Sequence, residues 1–126
     1  ARQRGGGRRR QGGDGGVVLA AAMVAACMTE RELLANVMHA ARTLGWLCYH
    51  THTSMHSAAG FPDIVAVRSR DNRVLFAELK RLGKHPTEAQ QTWLGALREC
   101  PGVEVYVWTP ANWLSGEIEQ VLVGIV

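Results

Sequence analysis

Apolar and polar positions along the chain change their period several times, and each change marks a new element. From Thr29 onward, Leu33, Leu34, Val37, Ala41 and Leu44 recur at helical spacing, and Thr29-x-x-Glu32 is a capping box at the head of the run. This predicts a helix from about Thr29 to Leu44, stopped by Gly45. Residues 46–53 (WLCYHTHT) have strand composition, and residues 54–60 (SMHSAAG) read as a loop. Residues 62–68 (PDIVAVR) and 73–80 (RVLFAELK) read as two strands joined by the turn Ser69-Arg70-Asp71-Asn72. A second capping box, Thr87-x-x-Gln90, opens a helix that ends near Cys100, ahead of Pro101-Gly102. Residues 103–109 (VEVYVWT) form a third β-branched run, and a short last helix is expected over residues 117–125. The predicted order, α-β-β-β-α-β-α, gives an α/β fold with a central mixed sheet flanked by helices.

The first 27 residues stand apart. Residues 1–16 contain only Gly, Arg, Gln, Asp and one Ala, which cannot form a core, and residues 17–27 (VVLAAAMVAAC) are apolar without amphipathic period. The expected division is therefore a disordered extension over 1–27, foreign to the folded part or an upstream start ahead of Met28, and one domain over 28–126. Arginines followed by an apolar stretch ending Val24-Ala25-Ala26-Cys27 also resemble a secretion signal. An ordered domain follows at once with no polar tether, so export is the minority reading.

Charge changes the picture once it is divided at the same boundary. Residues 1–27 hold five arginines against one aspartate, whereas residues 28–126 hold nine Lys and Arg against ten Asp and Glu. The basic balance thus belongs to the extension, and the domain must contact any nucleic acid through local clusters. No apolar run approaches the ~18 residues of a membrane span. The three cysteines, Cys27, Cys48 and Cys100, are too scattered for a disulfide framework, so a cytoplasmic setting is expected.

Candidate chemistry gathers at one end of the predicted hairpin. Asp63 follows Gly60-Phe61-Pro62 at the start of one strand, and Glu78 and Lys80, two apart, end the next on one face. A hairpin sets the start of one strand beside the end of its partner, which brings the three together. Two carboxylates with open water positions suit Mg²⁺, and a lysine beside the metal can orient the water or stabilise the phosphorane. A lone Glu-x-Lys is more often a solvated ion pair; its pairing with GFPD across a turn carries the argument. Glu30 falls on the apolar stripe of the first helix and should face the sheet, while Glu32 is explained by its cap. Gln90 shares a stripe with Trp93, Leu94 and Leu97, explained either by the site or by its capping box.

These stretches resemble the VRR-NUC family, the virus-type replication-repair nucleases of the PD-(D/E)XK superfamily. The matching segments are TERELL (29–34), SAAGFPDIV (57–65), VLFAELK (74–80), PTEAQQTWL (86–94) and VEVYVWTP (103–110). The resemblance implies a restriction-endonuclease-like core and catalytic roles for Asp63, Glu78, Lys80, Glu30 and Gln90. It implies Mg²⁺ or Mn²⁺ held by Asp63, Glu78, the Leu79 backbone carbonyl and Glu30 through water. It also implies a DNA substrate, branched DNA such as four-way junctions among stand-alone members, and a homodimer. Residues 1–27 match nothing in the family pattern.

Arg81 and Lys84 follow Lys80 and are expected to contact DNA phosphates, as are His56 and Ser57 in the loop before GFPD. Cys48, His50 and His52 share one strand face; zinc is the minor reading, because no second ligand pair stands at structural-zinc spacing. Arg68, Arg70 and Arg73 flank the hairpin turn and are expected to be solvated, and His85 to lie on the surface. Trp108 and Trp113 belong to the core or to a dimer face. The leading expectation is an endonuclease of structured DNA; the alternative is a non-catalytic DNA-binding or assembly module of the same fold.

Overall fold

The computed structural model describes residues 14–52 and 58–124. Among these residues five α-helices and four strands are formed, besides one 3-10 turn at Ser69–Asp71: α1 (Asp14–Cys27), α2 (Glu30–Thr43), β1 (Leu47–His50), β2 (Ile64–Arg68), β3 (Arg73–Leu79), α3 (Glu88–Arg98), β4 (Val103–Trp108), α4 (Pro110–Leu114) and α5 (Glu117–Val123). The strands form one sheet in the order β1-β2-β3-β4, antiparallel except for the parallel β3–β4 pair. The crossover helix α3 is what permits that parallel return. The predicted α-β-β-β-α-β-α order is thus kept from α2 onward, with two additions: α1 ahead of it and α4 before the last helix.

Residues 14–27 correct the expectation of a disordered extension, because they form α1. Its Ala, Leu and Met content favours helix without any amphipathic stripe, which is why the periodicity test passed over it. It packs beside α4 with Ala25 buried, while Val17, Val18, Leu19, Met23 and Val24 stay exposed. No described helix is long and apolar enough to cross a membrane.

Strand alternation divides the core into two faces. Ile64, Ala66, Leu75, Ala77 and Leu79 point to the side covered by Leu33, Val37, Met38 and Ala41 of α2 and by Ile118 and Leu122 of α5. Trp108 joins this cluster and Trp113 packs against it. On the other side, Phe76 meets Phe61, which in turn packs edge-on against Trp93 of α3 at 5.1 Å. Asp63, Glu78 and Lys80 fall on this second side by their parity along the strands. The site is therefore roofed by α3, while α2 reaches it only around the end of the sheet.

The turn arginines were expected in solvent, and Arg68 corrects that: it is 3% exposed. Its guanidinium donates to the carbonyls of Leu44 at 3.1 Å, Leu122 at 2.8 Å and Val123 at 3.0 Å, and pairs with Asp71. These carbonyls close α2 and α5, so one cation satisfies two helix C-termini at once. Arg73 pairs with Glu104 at 2.6 Å, and both guanidiniums lie over the ring of Trp46. Burial of carbonyls with no water to satisfy them is the physical reason an arginine is drawn in. Arg70 and His85 are exposed.

Candidate active site

The β2–β3 register sets Ile64 opposite Ala77, so one further step brings Asp63 opposite Glu78 and Pro62 opposite Leu79. Past this step the ladder stops using backbone alone. The Leu79 N–H donates to the Asp63 carboxylate at 2.7 Å, which fixes that side chain across the strand end. Pro62 has no N–H to offer the Leu79 carbonyl, which points to the same side of β3 as its N–H. Behind Asp63, Thr51 holds the chain: its N–H donates to the Asp63 carbonyl at 2.8 Å and its hydroxyl to that of Pro62 at 2.8 Å. Nothing in the sequence pattern singled out Thr51, since its contact depends on how β1 pairs with β2.

Glu78 is 1% exposed, an unusual place for a carboxylate. Gln90 donates from Nε2 to its Oε1 at 2.8 Å, and the Lys80 ammonium lies 3.7 Å from the same oxygen. The other oxygen, Oε2, is buried and no donor among the described residues reaches it. Burial pushes the Glu78 carboxyl up to about 8, with the Asp63 carboxylate beside it adding to the rise and Lys80 opposing it. Gln90 resolves its two readings together. Its Oε1 accepts the Thr87 N–H at 2.8 Å as the capping box requires, leaving its amide NH₂ aimed at Glu78. Thr87 thereby orients the amide that orients the carboxylate.

Glu30 is placed differently from the expectation of a buried, sheet-facing acid: it is exposed. It stands in the first turn of α2, beyond the sheet end, and its Oε1 accepts the Arg81 N–H at 3.3 Å. Its charge still reaches Glu78, adding to the rise in that carboxyl. A stripe on a helix predicts which way a side chain leans, but here the sheet ends before it meets Glu30. Glu32 makes the capping box with Thr29, as expected.

Arg81 and Lys84 are exposed in the loop after β3, next to this cluster. His56 and Ser57 lie outside the described residues. β1 ends at His50, so His52 lies just past the strand, with its ring centroid 4.3 Å from that of His50; among the described residues the two form no metal group with Cys48. Among the described residues no three His, Cys, Asp or Glu side chains converge as a ready metal group. The donors at the strand end are the two carboxylates of Asp63 and Glu78, supplemented by backbone. An orphaned, buried Glu78 oxygen beside a second carboxylate fits a hard divalent cation.

Gly60 joins the loop to the roof. It has φ +89°, and a Cβ there would sit 2.4 Å from the Ala89 carbonyl group and 2.7 Å from the Gln90 nitrogen. The backbone of the GFPD loop therefore touches the first turn of α3, the turn that carries Gln90. Gly60→Ala is expected to push the loop and α3 apart, lowering both thermal stability and any activity of the site. Unchanged melting and unchanged activity would show that this close approach does not matter.

The comparisons with known proteins agree with this geometry. A family model described as the VRR-NUC domain matches residues 10–111. That span begins well upstream of Met28, so residues 1–27 are not wholly outside the family pattern. A solved structure described as a VRR_NUC domain superposes with a TM-score of 0.51 at 23% identity, covering 68% of this chain and 94% of that one. No curated protein matches the chain. With the match extending over most of its length and the sheet, loop and helix placed as described, the chain belongs to the VRR-NUC family of nuclease domains.

Proposed function

We propose that the protein is a divalent-metal-dependent DNA endonuclease, using Mg²⁺ or Mn²⁺ and acting on branched or otherwise structured DNA such as four-way junctions. The observation that carries the reading is the buried Glu78 carboxylate beside Asp63, with no donor among the described residues at Oε2 and Lys80 3.7 Å from its other oxygen. Asp63, Glu78 and the Leu79 carbonyl would hold the metal, with Glu30 supporting it through water. A bound divalent cation would supply an acidified water and neutralise charge on the phosphate. Lys80 then orients or deprotonates the attacking water and stabilises the oxyanion, and Gln90 keeps Glu78 in its ligating pose. Arg81 and Lys84 contact the DNA backbone. A second copy of the chain is proposed to pair with the first; the exposed Leu47 and Tyr49 of β1 and Val67 of β2 support it.

Incubation with branched, flapped and linear DNA, in Mg²⁺, Mn²⁺ or EDTA, tests the reading. Cutting that needs the metal and favours branched substrates is the expected result. Binding without cutting would favour the non-catalytic module, and neither would leave an assembly role.

The protonation of Glu78 makes a second test independent of DNA. Its carboxyl titrates at about 8 in the fold against an ordinary value of 4.5, so the folded state binds the extra proton between those values. Stability from this group is present below pH 4.5 and is lost as pH rises through about 8. The metal-free melting temperature should therefore fall across that window, and Glu78→Gln should flatten the fall. Saturating Mg²⁺ should raise the melting temperature most at the alkaline end, where Glu78 gives up its proton. A wild-type melting temperature indifferent to Mg²⁺ at pH 8 would remove Glu78 from the ligand set.

A further inference from the structure

One surface outside the carboxylate cluster carries a rim of basic side chains. Arg31, Leu34, Ala35, Met38, His39 and Arg42 lie on one stripe of α2, at the spacing that repeats on one helix face. With His50 of β1 they line an open groove of about 380 Å³. Leu34 and the buried Met38 make the apolar floor, and Arg31, His39 and Arg42, all exposed, make the rim. None of the described residues lining it is acidic. Among the described residues β1 is an edge strand, and no further strand covers the groove from the side.

An arginine stands at each end of this stripe. Arg31 sits in the first turn of α2, where the helix dipole opposes a cation. Glu30 and Glu32 share that turn and offset part of the cost, which lets the arginine stand there. Arg42, at the other end, lines the same groove as His50 of β1. At the near end, His50 and His52 flank Thr51, whose N–H holds the Asp63 carbonyl, and Arg31 adjoins Glu30. The groove thus opens at the end of the sheet that carries the acidic cluster.

We propose that this groove binds the phosphate backbone of DNA, carrying the duplex arm away from the site along α2. The proposal rests on the nuclease reading for the identity of the polyanion. Eleven residues at 1.5 Å rise separate Arg31 from Arg42 by about 16 Å, roughly five base-pair steps of B-DNA. Two arginines at that interval reach successive stretches of backbone without reading bases, so the contact sets position and not sequence. Arg81 and Lys84 hold the opposite side of the sheet end, and α2 supplies the second track.

The test compares wild type with Arg31→Gln/Arg42→Gln on a fluorescent 20-base-pair duplex in EDTA, by anisotropy across a salt series. Glutamine keeps helix propensity, and melting curves check the fold. The double variant should bind at least about tenfold more weakly at 0.1 M salt. Its plot of log affinity against log salt should be shallower by about 2, near one unit per lost phosphate contact. Arg31→Lys/Arg42→Lys should restore the slope, and Arg98→Gln, on exposed α3, should leave it unchanged. Wild-type slope and affinity in the glutamine variant would overturn the proposal while leaving the nuclease reading intact. A shallower slope in a protein that cuts nothing with any metal would uphold the groove and sink the catalytic reading. No DNA binding by the wild type would sink both.

Discussion

Lys80→Ala is expected to lower the cleavage rate at saturating metal by about 10²–10⁴-fold, the range for loss of a positioned acid–base or oxyanion-stabilising group. Its DNA affinity should change little. The side chain is only 12% exposed and its ammonium lies 3.7 Å from Glu78, so it is held in the site and not in solvent. It also opposes the rise in the Glu78 carboxyl, which burial and Asp63 drive up to about 8. Removing the cation should push that carboxyl higher still, so residual activity should shift to more alkaline pH. Single-turnover cleavage against pH separates the two contributions. A loss independent of pH would place Lys80 on the water or transition state alone, and wild-type cutting would remove it from the mechanism.

Arg68→Ala should have the largest effect on stability, about 3 kcal/mol, though it lies at the far end of the hairpin from the carboxylates. The substitution strands the Val123 carbonyl and leaves those of Leu122 and Leu44 with one side-chain donor each, the Trp46 Nε1–H and Arg70, while Asp71 loses its partner. A buried polar group left unsatisfied costs about 1–3 kcal/mol. The contact with Trp46, at 4.7 Å to the ring centroid, is lost as well. For a domain of this size the melting temperature should fall by roughly 10–20 °C. Arg70→Ala is the control, since Arg70 is exposed and makes a single 3.3 Å contact to Leu44. If Arg68→Ala melts like wild type, water reaches those helix ends and the arginine is not their cap.

The sheet and its helices were largely legible because they rest on local rules. Both capping boxes form where Thr29 and Thr87 stand. The hairpin turn closes with Asn72 in the left-handed region at φ +56°, a conformation asparagine tolerates. Period-two alternation placed Glu78 and Lys80 on one face, and hairpin geometry alone carried Asp63 to them. Helix α1 was missed because an apolar, Ala-rich run has no periodic stripe to read, although its propensity suffices for a helix. The short α4 was missed because Pro110 at its first turn reads equally as the end of a strand.

Sequence by itself determined the element order from Thr29 onward apart from α4, the family pattern, and the side of the hairpin on which the acids and lysine meet. Each of these follows from spacing within a strand or turn, which the chain carries locally. Tertiary structure alone decided what those residues experience. Whether Glu78 is buried depends on α3 folding over it, and Gln90 could serve as cap and as partner only once that roof was in place. Glu30 fell outside the core because the sheet ends short of it. Arg68 turned inward because two helices from distant parts of the chain end at the same point, gathering carbonyls that one buried guanidinium can reach together. Burial, charge coupling and helix-end convergence are properties of packing, and no local pattern encodes them.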